Sequence, residues 1–231
     1  MQKVNPLLLR DLKAFSGIEL PVLETMLATS KSAFYAKGET FFREGEVAAR
    51  FFVMLDGFLH VVRTTPAGEQ VIMRHFGTGE IFGMAPAIGR DTYPATSVAI
   101  SDCVALSWPM KYWQEFCEIT PQFQKNALSA VGERLQGSQD RIVEMATERV
   151  ENRVAKALVR LVEQAGKPTP QGTLIDVAVT RQDIAEMTGT TLHTVSRIFS
   201  AWSSKGIVEV GRKKIEVLSS SRLSDIAGEQ V

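Results

Sequence analysis

His193, Ser196 and Arg197 share one face of the stretch TGTTLHTVSRIF, residues 188–199, while Val195, Ile198, Phe199 and, just beyond it, Trp202 share the other. The polar face carries short side chains, an imidazole and one long planar cation. A guanidinium bonds guanine O6 and N7 together, which makes Arg197 the candidate reader of a base edge, with Ser196 small enough to permit close approach. An imidazole either donates or accepts, so His193 is a further candidate for base contact. Upstream, Thr180, Arg181 and Gln182 open a helix, where hydroxyl, guanidinium and backbone N–H groups can hold a phosphate. Thr191, Arg212 and Lys213 are candidates for the same backbone role, the latter two inside the basic GRKK stretch that ends at Lys214.

Positioning these side chains requires two short helices and a turn. Thr180 can cap the first helix, with Asp183 three residues on completing a capping box. Ile184 and Met187 then face inward. Gly189 suits the left-handed backbone at a helix end, and Thr190 or Thr191 caps the next helix. Two helices joined through a glycine turn form a helix-turn-helix, and the hairpin expected in GIVEVGRKKIEVL makes it winged. In that geometry the second helix enters the major groove by its N-terminal residues. The charge surplus is small, six Lys/Arg against four Asp/Glu over residues 180–218. A helical hairpin that packs without touching DNA is the alternative.

The whole chain has 231 residues, enough for one large or two modest domains, with 45% hydrophobic and 23% charged residues and a formal net charge of +0. A surface for nucleic acid must therefore be local. Two cysteines, Cys103 and Cys117, exclude a disulfide scaffold and fit a reducing compartment. They also leave no four-cysteine set for an iron–sulfur cluster or a zinc knuckle within one chain. The apolar LLL of MQKVNPLLLRDLKAF is too short for a signal segment, and no run approaches the roughly 18 apolar residues of a membrane span. The expected location is cytoplasmic, with no membrane partner.

From Lys37 to Ser107, short apolar runs are punctuated by glycine. Alternation in FLHVVRT and QVIMRHF predicts half-buried strands about a TPAG turn, and the region reads as an antiparallel barrel or sandwich. Gly38, Gly45, Gly57, Gly68, Gly79 and Gly83 are expected at turns with positive φ. Helical periodicity follows from Pro121 to Ala165. Leu128, Val131, Leu135, Ser138, Ile142 and Met145 recur at spacings of three and four, a narrow seam that predicts pairing with a twin helix. The alternative is a helix lying across its own domain. GKPTPQG, residues 166–172, reads as a linker or loop, and TLIDVAV as a strand.

A glycine-punctuated β-roll, a long seam helix and a winged helix-turn-helix in this order resemble the cAMP receptor protein/fumarate-nitrate regulator (Crp/Fnr) superfamily of bacterial transcription factors. GEIFG (79–83), YPATSVA (93–99) and TRQDIAEMTGTTLHTVSR (180–197) carry the resemblance, which spans nearly the whole chain. It implies an α+β fold: a double-stranded β-helix sensor domain over 1–120, a dimerisation helix over 121–148 and a winged helix-turn-helix over 149–231. It further implies a homodimer on an inverted-repeat operator in double-stranded DNA, an effector bound in the roll, and RNA polymerase as a partner.

Cyclic-nucleotide members carry an Arg-Ser pair before the alanine that Ala95 matches. The arginine neutralises the cyclic phosphate. Here Tyr93 and Pro94 stand instead, while Glu80 and Ser138 match sugar- and base-contacting positions, and Arg90 is a substitute cation nearby. Glu80, Phe82, Tyr93, Pro94, Ala95 and Ser138 are therefore the candidate effector pocket, with cAMP the less favoured effector. Oxygen-sensing members have an N-terminal cysteine cluster, which is missing here. The remaining likeness is to the nitrogen-oxide-responsive (NnrR/Dnr-like) branch, for which haem is the implied cofactor. His60 and His75 are the candidate ligands, with Met84, Met145 and Cys103 as alternatives.

Two other classes compete. A cupin-like metal enzyme needs clustered histidines with an acid on facing strands, and only His60 and His75 are available. Ser-His-Asp order, a P-loop and a zinc signature are all missing, so no enzyme is expected. A ligand-binding signalling module that never touches DNA is the second rival.

Overall fold

The computed structural model describes residues 5–65, 70–177, 179–211 and 214–228. The chain divides into two compact units, Met1–Gly137 and Ser138–Val231.

The first unit opens with helices α1 (Pro6–Arg10) and α2 (Leu20–Ala28). Eight strands follow: β1 (Lys31–Tyr35), β2 (Thr40–Phe42), β3 (Arg50–Asp56), β4 (Leu59–Thr64), β5 (Gln70–Phe76), β6 (Ile81–Phe82), β7 (Thr96–Ala99) and β8 (Cys103–Pro109). They form two antiparallel four-stranded sheets, ordered β1-β8-β3-β6 and β2-β7-β4-β5. The unbroken apolar run FFVML, residues 51–55, has a direct cause in this arrangement. Phe52 and Met54 pack against the other sheet, with Leu59, Phe76 and Ala99. Phe51 and Val53 point the other way, into a cluster with Leu23, Met26, Trp108 and Phe123 from the helices and β8. A strand covered on both faces cannot alternate with polar residues. Trp108 Nε1, fully buried, donates to the Met26 carbonyl at 2.7 Å and so satisfies the end of α2.

Of the glycines expected at positive φ, Gly38, Gly45, Gly57, Gly79 and Gly83 take it, and Gly68 lies outside the described residues. Gly57 is constrained twice. Its φ is +94°, and a Cβ there would meet the Asp102 carbonyl at 2.4 Å.

Helix α3 (Tyr112–Ile119) is separated from α4 (Pro121–Thr147) by Thr120, whose extended backbone is what a following proline demands. The first turns of α4 bury Phe123 and Ala127 in the helix-side cluster, where Val131 is half-buried.

The second unit adds α5 (Val150–Ala165), β9 (Gly166–Pro168), β10 (Thr173–Ile175), α6 (Arg181–Thr188), α7 (Leu192–Ser204), β11 (Val208–Gly211), β12 (Lys214–Val217) and α8 (Ser220–Ala227). Its sheet runs β11-β12-β10-β9. The expectation of a loop or linker at 166–172 is corrected here, because Gly166–Pro168 is a strand paired with β10. Proline is tolerated there because β9 is an edge strand and Pro168 ends it. The tight turn back to β10 is closed by Thr169, whose N–H donates to the Gly172 carbonyl at 2.9 Å. The strand expected over TLIDVAV stops at Ile175, where the Asp176 N–H turns to the Ala165 carbonyl.

Candidate nucleic-acid interface and effector cluster

The two helices of the C-terminal unit start and stop where local chemistry dictates. Asp183 N–H donates to Thr180 Oγ1 at 3.1 Å, and Thr180 N–H donates to Asp183 Oδ2 at 2.7 Å, a reciprocal capping box. Gly189 closes α6 in the left-handed region at φ 59°, ψ 46°, and its N–H reaches the Ala185 and Glu186 carbonyls. Thr191 then caps α7 by accepting from the Thr194 N–H at 3.2 Å. Ile184 and Met187 are buried as the sequence required.

Helix α7 is anchored by Val195, Phe199 and Trp202, which are 0%, 1% and 0% exposed. Ile198, assigned to the same face, is half-buried. Trp202 Nε1 donates to Glu151 Oε1 of α5 at 2.9 Å, which fixes the helix's rotation as well as its depth. Arg153 of α5 adds a brace: its Nε donates to the Thr188 carbonyl at 3.0 Å and one terminal nitrogen to the Glu148 carbonyl at 2.9 Å. The opposite face of α7 is open. His193 and Arg197 are exposed, and Ser196 is half-buried between them. Among the described residues Arg197 makes no hydrogen bond or ion pair.

Of the expected backbone-binding residues, Thr180 is committed to its cap, while Arg181 and Gln182 are exposed on the first turn of α6. Gln182 Nε2 donates along the helix to Glu186 Oε1 at 2.9 Å. Thr191 is exposed at the start of α7. Arg212 and Lys213 lie outside the described residues. Lys214, in the same basic stretch, pairs with Glu216 at 3.1 Å.

In the first unit, the expected pocket residues go to several environments. Phe82 is 1% exposed and stacks on Phe52 in the intersheet core. Tyr93 is buried, stacked on Phe42 at 3.9 Å, and its hydroxyl is held by Arg50: it donates to the carbonyl at 2.6 Å and accepts from the N–H at 3.1 Å. Burial pushes its phenol above the ordinary range. Ala95 is buried, while Pro94 and the alternative cation Arg90 are exposed. Glu80 accepts from Arg74 at 3.0 Å and from the Gly77 N–H at 2.8 Å. Ser138 is exposed on α4, in the second unit.

Along α4 the expected seam is largely uncovered within one chain: Leu128, Leu135, Ile142 and Met145 are 53%, 60%, 68% and 48% exposed. The exception is Val131, half-buried against its own unit's core.

Comparison with known proteins supplies what geometry alone does not. The chain matches two family models, a cyclic nucleotide-binding domain over residues 33–120 and a Crp-like helix-turn-helix domain over residues 152–226. The "Cyclic AMP receptor protein" of Thermus thermophilus is 24% identical over 213 residues, covering 92% of this chain and 95% of that protein. The "Transcriptional activator protein anr" of Pseudomonas aeruginosa is 25% identical over 195 residues, covering 84% and 80%. The structure of FixK2 from Bradyrhizobium japonicum superposes with a TM-score of 0.74 at 20% identity, covering 85% of this chain and 96% of that one. The chain belongs to the Crp/Fnr family of transcription regulators. As a member of that family it is a transcription regulator with a Crp-like helix-turn-helix domain rather than an enzyme.

Within that family, the donor set for haem is a physical question. His60 and His75 are directly paired across β4 and β5, with ring centroids 6.2 Å apart. Strand alternation puts them on the sheet face opposite Leu59 and Phe76, which line the intersheet core. Met84, just after β6, is buried in the helix-side cluster. The Cys103 thiol donates to the Phe58 and Ser101 carbonyls, and burial pushes its pKa up, away from the thiolate a metal requires. Met145 is on α4 beside Gly189. These donors do not converge from the roll's interior, so they do not fit a haem held there. Among the described residues no group of three or more His, Cys, Asp or Glu is placed to hold a metal ion. Among them, too, no helix is long and apolar enough to cross a membrane.

Sequence reading passed over Arg74, Arg134 and Ser97, which the fold gathers on one face. Arg74 and Phe76 share a strand face, but the bulge beside Arg74 puts Ile72 on the other, so alternation along QVIMRHF gives no clean signal for it.

Proposed function

We propose that the protein acts as a homodimer that binds an inverted-repeat operator through its paired α7 helices, under control of a small effector sensed by the β-roll. The observation that carries this reading is α7 itself. A helix locked by Trp202 and Phe199 holds His193, Ser196 and Arg197 outward, with Arg197 making no hydrogen bond or ion pair among the described residues. Its N-terminal end meets base edges, Thr191 and the start of α6 meet phosphate, and each protomer reads one half-site, roughly 34 Å from the other. The exposed stripe of Leu128, Leu135, Ile142 and Met145 pairs the protomers, because an apolar stripe of this spacing is stable only when a twin helix covers it. RNA polymerase is the further partner of such a regulator.

Fluorescence anisotropy on operators selected from a randomised inverted-repeat library tests the reading. Specific binding should exceed non-specific binding by roughly a thousandfold or more and fall steeply as salt rises. Weak binding with no sequence preference, at every salt concentration and with any effector, would refute it. Nitric oxide held on haem is the finer reading that the likeness to nitrogen-oxide regulators brings. Its test is the visible spectrum after haem addition, with and without nitric oxide, beside a cAMP titration. A featureless spectrum removes haem and leaves the regulator.

A further inference from the structure

We infer that Leu192, the first residue of α7, reads a thymine in each half-site through the 5-methyl group of that base. The inference rests on the operator-binding role proposed above and adds to it a reader of a different chemistry.

Leu192 directly follows the Thr191 cap and is 46% exposed. It is a large aliphatic side chain on a surface that otherwise offers hydroxyls, an imidazole and a guanidinium. The buried face of α7 belongs instead to Val195, Phe199 and Trp202. Residues four apart on a helix lie one above the other, so Leu192, Ser196 and Ser200 form one column and His193 and Arg197 the next. Ser200 turns its hydroxyl back to the Ser196 carbonyl at 2.9 Å, and Ser196 is half-buried. Leu192 is therefore the long side chain of its column. Each Cα–Cβ bond tilts toward the helix N-terminus, and at the first position that tilt aims the leucine past the end of α7. That is the end which meets base edges in a helix-turn-helix.

What a leucine can recognise there follows from its chemistry. It has no donor and no acceptor, so it cannot bond a base edge. Pressed against the amino group of cytosine or adenine, or against the acceptors of guanine, it would strip water from a polar group and leave that group unpaired, which is costly. Thymine alone presents an apolar group in the major groove, its C5 methyl. Burying that methyl against Leu192 takes apolar surface of both partners out of water. The first turn of α7 holds no acidic side chain, so no carboxylate is at hand to accept from a cytosine amino group at this position. From Leu192 to Arg197 the helix axis advances by about 7.5 Å, or roughly two base-pair steps at about 3.4 Å each. The thymine and the base read by Arg197 thus belong to one half-site.

The test uses the full-length protein and the operator selected from the randomised library, with each thymine of the half-sites replaced in turn, symmetrically, by deoxyuridine. That exchange removes the methyl group and keeps every hydrogen-bonding atom of the base. Anisotropy should reveal a thymine at which the exchange weakens wild-type binding roughly fourfold per half-site, about fifteenfold for the pair. Leu192→Ala should bind the thymine operator correspondingly more weakly and should no longer distinguish thymine from deoxyuridine at that position. Alanine is the best helix former and the leucine is half in solvent, so the variant should melt with the wild type. Half-sites in which no thymine is sensitive overturn the inference on wild-type protein alone, whatever the variant does. A position equally sensitive in wild type and Leu192→Ala also overturns it, since another residue then holds the methyl. Sequence-specific binding without a methyl effect removes the role of Leu192 only. Absence of any sequence preference in the wild type removes the operator reading beneath it and this inference with it.

Discussion

Arg197→Ala separates folding from reading on a single helix. Arg197 is exposed and makes no hydrogen bond or ion pair among the described residues, while α7 is held by Val195, Phe199, Trp202 and the Thr191 cap. Truncating it therefore removes nothing that folding uses. Stability should change by no more than about 0.5 kcal/mol, with alanine's helix propensity offsetting any lost packing. On DNA the same truncation removes a bidentate contact worth about 1–3 kcal/mol in each half-site. Two half-sites double that to roughly 2–6 kcal/mol, a weakening of roughly 30-fold to 25,000-fold in Kd. Anisotropy against the selected operator measures the loss, and a thermal melt run in parallel measures stability. A second signature distinguishes base from phosphate contact. A base reader relaxes preference at one position per half-site, whereas a phosphate contact weakens all sequences equally and reduces the salt slope by about one per half-site. Unchanged operator affinity, or a melting temperature lowered by many degrees, would refute the assignment of α7's outer face.

Other perturbations address the neighbouring parts. Thr180→Ala removes one half of the capping box and should lower stability by about 1 kcal/mol, visible by calorimetry as a drop of a few degrees in the transition of the C-terminal unit; an unmoved transition would mean the cap is redundant. Gly189→Ala should cost about 1–2 kcal/mol through the left-handed backbone alone, because a Cβ there would sit 3.7 Å from Met145 Cε, in ordinary contact. Leu135→Glu, placed on a side chain 60% exposed in the single chain, should give monomers in sedimentation and abolish operator binding, and a variant that stays dimeric would place the interface elsewhere. His193→Glu should move base preference toward cytosine, whose amino group a carboxylate accepts from; identical preference in a randomised library would remove His193 from the reading set.

The helix-turn-helix was legible because every device in it is local. The Thr180–Asp183 box, the Gly189 stop and the Thr191 cap each act within four residues, so spacing in the chain is spacing in space. The seam on α4 was legible for the same reason, helical period being a local property, although Val131 turned out to be shared with the core of its own unit. Gly166–Pro168 reads as loop in the sequence because proline and glycine dominate it, and only its edge position beside β10 allows a strand there. The packing of Tyr93 is not legible in the same way: its ring fits against Phe42 and its hydroxyl against the Arg50 backbone, partners 51 and 43 residues away that no local pattern announces.

The amino-acid order by itself determined where helices begin and end, which face of α7 is apolar, and the family to which the chain belongs. Capping, periodicity and motif spacing are all short-range. Tertiary structure alone decided which charges meet. Arg74, Ser97 and Arg134 come from β5, β7 and α4, and only the sheet register and the seating of α4 on Phe76 bring them to one face. It also turned His60 and the buried His75 away from the intersheet core, since strand parity relative to a buried neighbour cannot be assigned until the two sheets close on each other.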